Sequence, residues 1–128
     1  MPFSRGQVVA TRHGSGMGVV LQSDDDYVWI FPIGGCDGNP RHRAEIRMWD
    51  ASDRLQAGVS FKNPVVRCHT LVKVSLRGLR SDMPVGSMPE HLMRSIIAAS
   101  RKEAETQARE ARMAYMHVEV TLNRAVSM

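Results

Sequence analysis

The chain has 128 residues, is 43% hydrophobic and 5% aromatic, and carries a formal charge of +4. That length suits one domain able to bury a core without staples. Its longest apolar run, Tyr27 to Ile33, spans seven residues, against the ~20 of a membrane-spanning helix.

Pro2, Ser4, Arg5, Gly6 and Gln7 interrupt any leader-like stretch near Met1, so no signal peptide is read there. Membrane, secreted and multidomain readings are set aside, and a cytoplasmic location with no membrane partner is expected. Residues 1–64 hold seven basic and seven acidic side chains, whereas residues 65–128 hold ten basic and six acidic, so the excess lies in the second half. Fourteen of the seventeen basic residues are Arg, whose planar fork grips phosphate bidentately. Composition bias in the genome would give the same richness, so nucleic acid is permitted by the charge and not required by it. Cys36 and Cys68 form no CxxC pair. With His42 and His69 they match no recurrent zinc spacing, so they read as buried or incidental reduced thiols, with no metal.

In chain order, Gln7–Thr11 reads as a first strand, closed by the glycine-bearing loop Arg12-His13-Gly14-Ser15-Gly16. No Lys-Ser/Thr follows that loop and no helix opens there, so it is not a phosphate loop. Met17–Gln22 is a second strand and Ser23–Asp26 a turn, without the Gly and Glu spacing of a calcium loop. Tyr27–Ile33 reads as a central strand buried on both faces. Ala44–Met48 alternates Ile46 and Met48 with Glu45 and Arg47. A loop from Trp49 leads to Val59–Phe61, and after Pro64 a β-branched run extends from Val65 through Val72 toward Leu76. Many short strands at close spacing predict a mainly β fold, a small barrel rather than a parallel α/β sheet.

The period then changes. Ser87-Met88-Pro89-Glu90 reads as a capping box, and Met88, Leu92, Met93, Ile96, Ile97 and Ala99 form one helical apolar face. A helix reaching Ala114 has about 27 residues and roughly 40 Å, more than a small barrel covers. Its extension offers Ala104, Ala108, Ala111 and Tyr115, a face suited to another helix or to solvent. His117–Leu122 alternates polar and apolar residues, which allows a late strand.

This order, with certain strings, resembles the MazF/PemK/Kid family of toxin–antitoxin mRNA interferases. Ser4-Arg5-Gly6-Gln7-Val8-Val9 is similar to its opening strand. Val19-Val20-Leu21 and Trp29-Ile30-Phe31-Pro32-Ile33 are similar to its paired second and third strands. Val65-Val66-Arg67-Cys68 is similar to the "VVRCDQ" strand of the Kid/PemK branch, and Pro89-Glu90-His91-Leu92-Met93 to its helix start. The resemblance covers residues 4–103. It implies an SH3-like barrel of the PemK/CcdB type with a long C-terminal helix. The barrel and helix would occupy residues 1–103, and residues 104–128 would be a helical extension and tail of the same domain. It further implies a homodimer that cuts single-stranded RNA by 2′-OH attack without metal or other cofactor, and an antitoxin protein partner. A relative with this barrel, the CcdB type, acts on gyrase through chain-terminal residues that Asn123–Met128 do not resemble.

By the same resemblance Arg67 occupies the position of the branch's catalytic Arg, His69 replaces its Asp, and Gly34-Gly35 replace a catalytic Thr or Ser. His69 and His13 join Arg67 as candidate catalytic residues, since imidazole serves as acid or base near neutrality. The alternative is a surface histidine on a barrel that binds without cutting. Arg67, Lys73, Arg77 and Arg80 precede any acid until Asp82 and form a candidate phosphate track, beside an ordinary solvated loop as the other reading. Arg12, Arg41 and Arg43 are candidate nucleic-acid contacts in bordering loops. Trp49 would either stack a base or cover the core.

Overall fold

A computed structural model describes residues 3–12, 16–35, 42–60 and 62–127, with side chains placed to Ala114 and at Met116. Among the described residues there are seven strands: β1 (Gln7–Ala10), β2 (Met17–Ser23), β3 (Tyr27–Gly35), β4 (Glu45–Arg47), β5 (Pro64–Arg67), β6 (Val72–Ser75) and β7 (Gly86–Ser87). Helix α1 (Ala51–Ala57) sits between β4 and β5, and helix α2 (Glu90–Ser127) ends the chain. No helix among the described residues is long and apolar enough to cross a membrane.

The strands run in the order β4-β5-β3-β2-β1-β7, all pairs antiparallel. β3 is long enough to serve two partners on one edge. Its first half pairs β6, Tyr27 opposite Ser75 and Trp29 opposite Lys73. Its second half pairs β5, Ile33 opposite Val66 and Gly35 opposite Pro64. Pro64 stands first in its strand, where a missing N–H is tolerated. A bulge between Val20 and Gln22 adds twist to β2. The sheet therefore curls, and the Thr11–Leu79 bridge joins the end of β1 to the segment after β6. The result is an SH3-like half-barrel of antiparallel strands with a long C-terminal helix: the strand pattern predicted a small, mainly β barrel, and the family resemblance implied its SH3-like form.

Alternation along the strands sorts the core into two clusters. Val9, Val20, Val28, Ile30 and Leu79 pack on one face of the sheet with Phe3. Val8, Val19, Phe31, Ile33 and Val66 face the other way and pack with Met88, Met93 and Ile96 from the start of α2 and its lead-in. Helix α1 closes the side of that second cluster through Ala57, and its Asp53 meets His91 of α2 at 3.1 Å.

Several local expectations change. The continuous run from Val65 is two strands, because the chain turns at Cys68–Thr70 and the pieces pair different halves of β3. The loop after Trp49 contains α1. The Asp50 carboxylate accepts from the Ser52 and Asp53 N–H groups at its start, and Gly58 takes the left-handed C-cap at φ 73°. Val59 and Ser60 are not strand, and Phe61 lies outside the described residues. Ser87 ends β7 and α2 opens at Glu90, so the capping-box string is displaced from the helix start. Helix α2 has 38 residues rather than about 27, and it runs straight through His117–Leu122, where a strand was allowed. Tyr115, Val118 and Leu122 also share one side of a helix by spacing, so the six-residue alternation was compatible with both. Finally, β3 is not buried on both faces throughout, since Tyr27 is exposed and Trp29 half-buried.

Candidate functional site

Arg67 ends β5 with an exposed side chain, and its guanidinium lies over Gly34 of the neighbouring strand. Nη2 stands 3.2 Å from the point a β-carbon at residue 34 would occupy. A larger residue there would contest the space, so the glycine makes the seat for the arginine. Arg67, Gly34 and Gly35 line a groove of about 370 Å³ whose other walls include Thr11, Pro32 and Val72.

Sequence reading did not single out Glu45 as a functional residue. In the β4–β5 register Glu45 stands opposite Arg67, and cross-strand partners share one face of a sheet. A carboxylate and a guanidinium are thereby brought to the same face of the sheet, with Arg67 and not Glu45 lining the groove. The alternation of β4 marked Glu45 as outward-facing, but its partner follows only from the pairing of two strands.

His69 lies just past β5 and stacks on His42, ring centroids 3.8 Å apart and 17° from parallel. Its Nδ1 is buried without a hydrogen-bond partner among the described residues. Burial first, and the His42 ring second, hold its pKa below 6.5, so the neutral ring is favoured. His69 is not among the groove's lining residues, although the charge of Arg67 reaches it. Cys68 between them is buried, and burial pushes its thiol up to about 12, which leaves it inert as a nucleophile at neutral pH.

Arg43 makes a fork on Glu103 of α2, Nε to Oε2 at 2.7 Å and Nη2 to Oε1 at 2.9 Å, and reaches Glu110 at 2.9 Å. Glu103 is 4% exposed, and its hydrogen bonds from Arg43 hold the carboxyl down to about 2. His42 adds Nε2 at 3.8 Å from the same carboxylate. Arg43 thus ties the lead-in of β4 to the helix.

The remaining predicted contacts fall into two places. Arg12, Arg77 and Arg80 line one broad groove with Ser81 and Asp82. Arg12 Nε donates to the Leu79 carbonyl and Arg80 Nε to the Thr11 carbonyl, at 3.0 and 2.9 Å, a crossed pair over the barrel closure. Lys73 stands apart from that trio, its Nζ 4.1 Å from the Tyr27 ring centre and 5.6 Å from that of Trp29. The Arg67–Arg80 segment is thus on the surface but divided between faces. Trp49 is 70% exposed and does not cover the core. His13 and Arg41 lie outside the described residues, as does Cys36.

No protein-family model matches the chain, and no curated protein matches it by sequence. Among solved structures it is similar to an endoribonuclease from a mycobacterial species, determined in complex with its cognate antitoxin. The TM-score is 0.58 at 15% identity, covering 79% of this chain and 93% of that one. The class is therefore a fold class, the half-barrel with C-terminal helix shared with this endoribonuclease.

Proposed function

We propose that this protein is a toxin-type endoribonuclease that cuts single-stranded RNA by 2′-OH attack without a metal ion, works as a homodimer and is held by an antitoxin. The observation that carries the reading is Arg67 seated on Gly34 in a groove, with Glu45 opposite it on the same face. The shared fold of an endoribonuclease solved with its antitoxin supports it.

Arg67 holds the scissile phosphate, where its fork meets charge that grows in the phosphorane. Glu45 accepts the 2′-OH proton as the 2′-oxygen bonds to phosphorus. The bond from phosphorus to the 5′-oxygen breaks, leaving a 2′,3′-cyclic phosphate and a 5′-oxygen that must take a proton. His69 is the candidate donor, and its half-buried, neutral-favouring seat requires it to pick up that proton from solvent in each cycle.

The test is purified protein with single-stranded RNA in EDTA, reading product ends. Cyclic-phosphate ends are expected, reduced by about 10²-fold or more in Glu45→Gln and abolished in Arg67→Ala. Equal cleavage by both variants overturns the assignment.

A second reading is a barrel that binds nucleic acid without cutting it. One observation favours it: Gly34 and Gly35 offer no hydroxyl beside Arg67, and His69 faces His42 rather than the groove. Intact RNA that shifts on a gel is its result.

A further inference from the structure

A second cavity, of about 420 Å³, opens at the corner where β4 runs into α1, and Arg47, Trp49, Arg54, Ser60, Lys62 and Asn63 line it. Its walls carry three cations and no acid among the described residues. Of the two acids adjoining lining residues in sequence, Asp50 spends its carboxylate on the start of α1 and Asp53 meets His91.

Trp49 decides what such a site takes. The Arg47 guanidinium covers one face of its ring, 4.0 Å from the ring centre. With the residue 70% exposed, the other face is open to solvent. Arg47 is steadied from below by the Asn63 side chain, and Arg54 donates to the Met48 and Trp49 carbonyls at 2.9 and 2.7 Å. The indole therefore sits on an ordered, positively charged floor. A flat ring backed by a guanidinium, beside further cations, matches a ligand that alternates planar bases with phosphates.

Its position relative to Arg67 follows from the register. Arg47 opposes Val65 as Glu45 opposes Arg67, so Arg47 and Arg67 leave the same face of the sheet. As diagonal neighbours they stand roughly 7–8 Å apart, their β-carbons somewhat closer. A strand whose phosphate rests on Arg67 can place an adjoining nucleotide in this cavity.

We infer that the Arg47–Trp49–Lys62 cavity is a subsite for one nucleotide of single-stranded RNA beside the phosphate held by Arg67, its base stacked on the open face of Trp49 and its phosphate on Lys62. The inference rests on the RNA reading above but not on cleavage. An acidic peptide would meet the cations and leave the indole face unused.

The probe is a labelled single-stranded 2′-O-methyl RNA hexamer, which binds but lacks the attacking hydroxyl. In Trp29→Phe protein Trp49 is the one remaining tryptophan of two, and the hexamer should quench its emission saturably. By anisotropy, Trp49→Ala should bind at least about fivefold more weakly, the lower end of measured base–aromatic stacking, and Trp49→Phe should recover most of the loss. Lys62→Ala should reduce the salt slope by about one.

Equal affinity of Trp49→Ala and the parent overturns the subsite, as does polyglutamate quenching Trp49 as strongly as the hexamer. Cleavage of natural RNA is scored separately. A Trp49-dependent hexamer complex without cleavage keeps the subsite and removes the nuclease, whereas cleavage with undiminished binding by Trp49→Ala does the reverse. Absence of both binding and cleavage removes both.

Discussion

Arg67 rests on Gly34, its Nη2 3.2 Å and its Cζ 3.5 Å from where a β-carbon on residue 34 would stand. The two residues belong to paired strands, Gly34 lying opposite Val65. The absence of a side chain on one strand thus sets the position of a cation on the other.

Gly34→Ala tests that relationship. The new methyl pushes the guanidinium outward by a few tenths of an ångström, and the strand gains about 0.5–1 kcal/mol from losing a glycine. RNA cleavage should fall about tenfold or more with the melting temperature held or slightly raised. Progress curves and thermal unfolding read the two effects separately, and cleavage at the wild-type rate would show that the seat is irrelevant to the chemistry.

His69 should leave a signature in stability against pH. Its folded pKa lies below 6.5, from burial first and His42 second, with Glu45 and Glu103 opposing and Arg67 assisting. The unfolded chain therefore binds the proton more readily, and stability is lost as pH falls below about 6.5. His69→Phe keeps a ring to stack on His42 and removes the proton site. Urea unfolding from pH 7 downward should show a flatter profile in the variant over that window.

A second window belongs to Glu103. Its carboxyl is held at about 2, chiefly by Arg43, against 4.5 when unpaired. The stabilisation is complete above about 4.5 and is lost as pH falls from there toward about 2. Arg43→Ala should lower the melting temperature by several degrees at neutral pH and remove most of that acid slope. Circular dichroism melts at stepped pH values would show an unchanged acid limb if the pair contributed nothing.

Helix α2 extends roughly 57 Å at 1.5 Å per residue, and Glu110 is its farthest residue with an ion pair to the barrel among the described side chains. Beyond it, residues 111 to 114 and Met116 are exposed. A chain ended after Glu110 should melt within a few degrees of the full protein, with a smaller helical signal. One ended after Arg101 loses Glu103 and Glu110 together and should melt clearly lower. Collapse of the first truncation would place the extension inside the cooperative unit.

Much of the architecture was legible before any coordinates. The alternation of Val8 with Val9, of Val19 with Val20 and of Ile30 with Phe31 separates the two core clusters, as a period of two must. The switch to helical spacing at Met88 marks α2. Helix α1 was missed although both signals stood in the chain, Asp50 before it and Gly58 after it. Seven residues are too few for periodicity to speak, and only the caps announce such a helix. The site was less legible. Arg67 stood out along the chain, but its cross-strand partner Glu45 did not, because nothing near Glu45 in the chain points to β5. Arg43 was read as a loop cation, and its fork on Glu103 joins residues 60 positions apart.

What the sequence determined by itself is what depends on neighbours along the chain: the strand faces, the turn at Asp24, the long final helix and the surplus of arginine. Only the tertiary structure decided how that surplus is spent. Strand pairing sets Arg67 on Gly34 and opposite Glu45, and the packing of α2 beside the sheet brings Glu103 to Arg43. The physical reason is the reach of each effect. Side-chain direction follows from local backbone period, whereas partners across a sheet follow from register and curl, which no short window of sequence contains.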